Sequence, residues 1–170
     1  MAFIYRISVK PHVEGERGLP KQEVLSAIVN KHGLEGDYNI YRTEKKESSP
    51  NMAVLLLPLE TILQLNKEGW PVKPGDLGEN LTTSGISYPN FNLGDKFKIG
   101  TTLQIEISEP CTPCGNLKVL PYVGEERKAE FIAALFSKRE GKTVQPNRRG
   151  WYARVICPGN ICAGDTIVRV

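Results

Sequence analysis

The sequence predicts a mainly β protein, a closed or nearly closed β-barrel with a few packed helices at its side. Three observations predict it. Short stretches in which apolar and polar residues alternate recur along the chain, separated by Gly, Pro, Asn and Asp. Strands mostly follow strands with no helix between them, which disfavours a parallel α/β arrangement. Only two or three stretches have helical periodicity, so the helices belong beside a β framework that closes on itself.

The 170 residues read as a single domain, 1–170, long enough to bury a core. A hydrophobic fraction of 40% and a charged fraction of 24% describe a globular protein. The net charge of +3 is too mild to argue for nucleic acid or an anionic membrane as partner. Met1 to Lys10 is a short apolar stretch broken by Arg6, without the h-region of a signal peptide. No apolar run is long enough to cross a bilayer. A cytoplasmic location is expected, with the four cysteines kept reduced.

The elements follow in order. Ala2 to Val9 reads as a first strand, Lys10 to Pro20 as a loop, and Glu23 to Val29 as a second strand. Gly33-Leu34-Glu35-Gly36-Asp37 is a turn that either ends that strand or delivers Asp37 to a site. Asn39 to Asn51 offers no apolar face and is expected to be a flexible excursion. Met52 to Leu57 is a continuous apolar run, the pattern of a strand buried on both faces. Pro58 then opens a helix in which Leu59, Ile62, Leu63 and Leu65 recur at mostly helical spacing, ending near Gly69.

Pro74-Gly75-Asp76-Leu77-Gly78-Glu79-Asn80-Leu81 is a dense turn before the short strand 81–83. It lacks the spacing of a phosphate loop, although its backbone amides suit an anion nest. Lys96 to Ile99 and Thr102 to Ser108 are strands, and the second has the clearest alternation in the chain. Glu125 to Glu140 predicts an amphipathic helix with Phe131, Ile132, Leu135 and Phe136 on one face. Gly141 to Asn147 reads as a loop. Trp151 to Ile156 and Thr166 to Val170 are the last strands, joined by a turn that carries Cys157 and Cys162.

Chemistry concentrates in Glu109-Pro110-Cys111-Thr112-Pro113-Cys114-Gly115-Asn116-Leu117. Pro110 supplies no ladder donor, so the strand is expected to stop there. Two thiols then stand on a stiff loop at a strand exit, where functional side chains tend to sit. Cys114 precedes Gly115, which leaves room for a bulky ligand to approach. A thiolate is a soft ligand for a transition metal or a transferable sulfur atom. Arg148 and Arg149 offer planar donor forks suited to a phosphate, or else form a solvated pair at a strand end.

Taken in order, these segments resemble a MOSC domain, the module named for the C-terminal part of molybdenum cofactor sulfurase. The carrying residues are Leu19-Pro20-Lys21, Gly33 to Asp37, Pro74 to Leu81, Leu93-Gly94-Asp95 with Ile99-Gly100, Pro110 to Leu117, and Arg149 to Arg154. The resemblance covers nearly the whole chain and implies a β-barrel of MOSC type that binds the pterin-based molybdenum cofactor, molybdopterin. It implies an oxidoreductase that reduces N-hydroxylated small molecules with an electron-donating reductase partner. The other activity it implies is that of a sulfur carrier paired with a cysteine desulfurase; pyridoxal phosphate would enter only through such a partner sulfurase domain.

The family's key cysteine matches Cys114, which is thereby implied as catalytic residue and as ligand of molybdenum or sulfur. Asp37, Glu79, Asn80, Arg148 and Arg149 are the expected cofactor-binding residues. Cys111 stands where relatives often have another residue, and Tyr38 follows Asp37 where many have His.

Two other readings stay open. Cys111-x-x-Cys114 with Cys157-x4-Cys162 has the ligand count of a structural zinc module, though the second spacing is loose. A thiol–disulfide protein using C-x-x-C is weakened because no helix follows directly to lower the thiol pKa.

Overall fold

The computed structural model describes residues 1–87, 90–136 and 148–170. Among these residues the chain forms eleven strands and three α-helices. The strands are β1 (Phe3–Val9), β2 (Gln22–Val24), β3 (Ser26–Asn30), β4 (Gly33–Leu34), β5 (Val54–Pro58) and β6 (Leu81–Ser84). They continue as β7 (Lys96–Ile99), β8 (Leu103–Pro110), β9 (Trp151–Cys157), β10 (Gly159–Cys162) and β11 (Ile167–Arg169). The helices are α1 (Ile40–Lys45), α2 (Leu59–Lys67) and α3 (Lys128–Leu135).

Eight strands pair in the order β11-β7-β8-β9-β5-β6-β1-β2, and three more in the order β10-β3-β4. Every pairing is antiparallel except β5 with β6. The mainly β composition agrees with the sequence, but the expected closed or nearly closed barrel does not. The larger sheet runs open from β11 to β2. An isolated bridge between Phe3 and Thr166, with flanking bonds from the Ile4 amide to Asp165 O and from the Ile167 amide to Ala2 O, links the β1 end to the approach to β11, but the described residues form no ladder there.

The reason lies in the second strand. The stretch expected to be one strand over 23–29 breaks at Leu25 into β2 and β3, which belong to different sheets. A three-residue edge strand offers too short a ladder to carry pairing around a barrel. Similarly, the turn expected between the last two strands holds β10, paired antiparallel with β3.

β5 explains why its sequence is apolar without alternation. All five of its residues are buried, with Leu56 in the core cluster that contains Ile4, Ile7, Leu81, Phe97 and Ile105. Leu57 faces a second cluster containing Ile62, Leu65, Trp70, Phe131 and Leu135, which packs α2 and α3 on the sheet. Of the expected apolar face of α3, Phe131 and Leu135 are fully buried, whereas Phe136 is exposed at the helix end. The rest of that expected helix, 137–140, and the loop 141–147 lie outside the described residues.

The polar stretch 39–51 is not a loose excursion. Asn39 Oδ1 caps α1 by accepting from the Arg42 amide at 3.0 Å. Arg42, itself buried, donates Nε to Ser49 O at 2.9 Å and also reaches the carbonyl oxygens of His32 and Ser48. A guanidinium that satisfies three carbonyls anchors a helix with no apolar face, so hydrophobic patterning does not reveal it.

Candidate functional site

β8 does not stop before Pro110, as expected from the missing N–H. Pro110 pairs with Trp151, and the Cys111 amide donates to Gly150 O at 2.8 Å. The ladder between β8 and β7 has ended by then, at Glu106 with Lys96, so the side of Pro110 that lacks a donor has no strand to serve. The β8–β9 ladder thus sets the Pro110–Cys114 loop beside Arg149 and Tyr152.

These residues line a cavity of about 320 Å³. Its floor is the buried cluster Met52, Leu55, Cys111 and Tyr152. Cys114 is exposed at its edge, and Arg149 and Lys21 are buried in its lining. Gly78 leaves room for Leu19 in this wall: a Cβ there would lie 2.4 Å from Leu19 Cδ2. Gly150 has φ +110°, and a Cβ on it would lie 2.5 Å from Leu56 O. Only glycine fits at the start of β9, immediately after Arg149.

Burial shapes the electrostatics of the cavity floor. Burial pushes the Cys111 thiol up, opposed by the nearby Arg149 charge. Burial and then Cys111 raise the Tyr152 hydroxyl, so both groups keep their protons near neutrality. Burial works against the Arg149 charge, but Cys111, Tyr152, Cys114 and Glu79 outweigh it and raise its pKa.

The expected site residues divide into layers. Cys114 and Arg149 reach the cavity. Arg148 does not: it forks onto Glu68 at 2.7 and 2.8 Å and donates to Ala134 O at 3.0 Å. Glu79 and Asn80 are fully buried beneath the cavity rather than in its lining. Glu79 Oε1 accepts from the Gly75 amide at 2.6 Å and from Thr82 at 3.1 Å, and burial raises its pKa. Asn80 Nδ2 donates to Asp37 Oδ2 at 2.9 Å, and Lys21 Nζ lies 2.6 Å from the same oxygen. Burial lowers the Lys21 pKa, with Asp37 opposing that shift.

Sequence reasoning missed Lys21, Asn39 and Tyr152 as members of the site. Lys21 and Tyr152 stood only among the residues carrying the resemblance, Tyr152 within a predicted strand. No local signal marks Lys21, because the strand it precedes, β2, is an exposed edge strand.

The zinc reading fails on geometry. Cys111 and Cys114 border the cavity, whereas Cys157 pairs with Gln104 at the far end of the β8–β9 ladder and Cys162 lies across from Ser26. Among the described residues no group of three or more His, Cys, Asp or Glu side chains is placed to hold a metal ion. Nor is any of their helices long and apolar enough to cross a membrane.

With this geometry in place, comparison with known proteins gives the class. The MOSC domain family matches residues 43–168, and the chain belongs to that family. It is 34% identical to protein YiiM of Escherichia coli over 169 residues, covering 94% of this chain and 67% of YiiM. Over 93 residues it is 38% identical to a protein of Gibberella moniliformis named "Reductase", covering 55% of this chain but only 14% of that protein. The crystal structure of YiiM from Geobacillus stearothermophilus superposes with a TM-score of 0.71 at 26% identity, covering all of this chain and 75% of that one. The YuaD protein of Bacillus subtilis shares the fold at a TM-score of 0.74 and 15% identity, covering 98% of this chain and 93% of that one.

Proposed function

We propose that this MOSC domain binds the molybdenum cofactor in the Cys114–Arg149 cavity and acts as an oxidoreductase on N-hydroxylated small molecules. The carrying observation is that an exposed thiol and a buried guanidinium line one cavity of about 320 Å³. That donor set fits the group: Cys114 supplies a soft ligand for molybdenum, and Arg149 a planar fork for an anionic tail. The resemblance to a protein named reductase supports the reductive direction.

When bound, the cofactor would supply two-electron redox chemistry, with electrons from a reductase partner in the cytoplasm. Cys114 would hold the metal at the cavity edge. Arg149 would orient the anionic end, with Gly150 beside it holding the start of β9 against Leu56. The Lys21–Asp37–Asn80 network holds that wall rigid from beneath. Tyr152 and Cys111 hold their protons at the cavity floor, where they would serve as proton donors to a bound substrate. The exposed Cys114 thiol also favours a second reading, transfer of a sulfur atom accepted from a cysteine desulfurase.

The test is molybdenum and pterin content per chain in protein made by a host that synthesises the cofactor. Cys114→Ser should keep the fold but lose bound molybdenum and reductase activity, because a hydroxyl is a harder and rarely ionised ligand. Cys111→Ser should keep most of both. Full molybdenum in Cys114→Ser would overturn the reading. Persulfide on Cys114 after incubation with a desulfurase, without reductase activity, would favour sulfur transfer.

A further inference from the structure

The helix α1 has no counterpart among the functions assigned above, yet it forms part of the cavity. Ile40 and Tyr41 line the cavity together with Lys46, just beyond the helix. On its outer side α1 is polar, with Thr43, Glu44 and Lys45 exposed. Its anchorage is concentrated in one buried side chain. Arg42 donates to Ser49 O at 2.9 Å and Ser48 O at 3.3 Å, and to the His32 carbonyl outside the segment. Its own amide is capped by Asn39 at 3.0 Å. Asn39, Tyr152 and Cys111 line the same cavity. Just beyond the helix, Glu47 and Ser48 take left-handed backbone angles, φ +48° and +56°, which non-glycine residues rarely adopt.

A short helix fixed by polar bonds at one residue, flanked by a strained turn, opens more readily than the apolar framework below it. We infer that α1 is a strap across the thiol cavity, that Arg42 is the residue holding it closed, and that it limits by size which molecules reach the floor at Cys111. Cys114, exposed at the edge, lies outside this restriction. The inference concerns access and rests on the cavity alone, so it stands or falls separately from the molybdenum reading.

The experiment measures thiol alkylation, residue by residue, with a small reagent (iodoacetamide) and a bulky one (a polyethylene-glycol maleimide). In the unaltered protein Cys114 should react with both, and Cys111 slowly with the small reagent and hardly with the bulky one. Arg42→Ala removes charge-assisted bonds to backbone carbonyls and should speed bulky labelling of Cys111 by about tenfold or more. Cys114 should change little, and the melting transition should stay cooperative. Because Arg42→Ala removes a buried side chain, Tyr41→Ala supplies a second arm: Tyr41 is a half-exposed wall residue that makes none of the Arg42 bonds, and its truncation should also admit the bulky reagent. Hydrogen exchange should show α1 amides losing protection in Arg42→Ala while β5 and β8 keep theirs. Cys111 labelling within twofold of the unaltered rate in both folded variants would overturn the inference, as would equal loss of protection across α1, β5 and β8.

Discussion

The Lys21 ammonium lies 2.6 Å from Asp37 Oδ2 with both side chains almost wholly withdrawn from solvent, at 2% and 8% exposure. Asp37 is further held by the Lys10 amide on Oδ1 and by Asn80 on Oδ2, so the pair is bonded as well as paired. Removing one partner leaves an uncompensated buried charge. Asp37→Asn is therefore expected to cost about 3–5 kcal/mol of stability. Urea denaturation checks this; an unshifted midpoint would show that the pair contributes nothing.

Glu79 carries a pH prediction. Burial raises its folded-state pKa above the ordinary carboxylate value. The folded form therefore holds a proton that the unfolded chain releases, and the stability contribution is full below the ordinary pKa. It is lost as pH rises toward the raised folded value. The melting temperature should fall over that window in the unaltered protein and fall less in Glu79→Gln, whose side-chain oxygen can still accept from Gly75 and Thr82. Parallel melting curves for the two proteins across pH 4–9, a range of about five units around these pKa values, would refute the assignment.

The adjacent arginines are predicted to behave differently. Arg148→Gln loses a partly exposed ion pair with Glu68, worth about 0–1 kcal/mol, and should leave cofactor affinity unchanged. Arg149→Gln removes a buried guanidinium from the cavity lining and should weaken cofactor binding and flatten its salt dependence. Titration at two ionic strengths separates the pair; equal behaviour of the two variants would contradict the placement described here.

Gly150 makes the fourth case. An added methyl would press on Leu56 O at 2.5 Å from a backbone at φ +110°. Gly150→Ala should destabilise by about 1–3 kcal/mol and shift Arg149 with it. Calorimetry alongside cofactor affinity tests both effects, and a neutral result in each would show that the β9 start tolerates a side chain.

What the sequence disclosed follows from what short-range pattern can encode. The alternation in β8 and the unbroken apolar run of β5 each report burial on one or two faces, so both strands were legible. The cysteine loop was legible because Pro and Cys restrict local chemistry. Sheet closure was not, since it depends on whether β2 and β11 meet, which no periodicity records. The helix α1 escaped because its anchor is Arg42 bonding to carbonyls rather than an apolar stripe. Lys21 and Tyr152 were hidden for a related reason: their partners, Asp37 and Cys111, lie 16 and 41 positions away, and only the folded chain brings them together.

The side chain of Asn80 has a kinetic consequence. Its amide group accepts from Leu55 at 3.1 Å and donates to Ser8 O at 3.3 Å and to Asp37, while its backbone bonds both Ser8 and Leu55. One carboxamide thus joins the start of the chain, the middle strand and the loop bearing Asp37. Contacts this distant along the chain form late and at an entropic cost that local structure does not repay in advance. During refolding, thiol protection at Cys111 should therefore appear together with the slowest sheet amides, not before them, and no excised peptide from the Pro110–Leu117 region should reproduce the cavity.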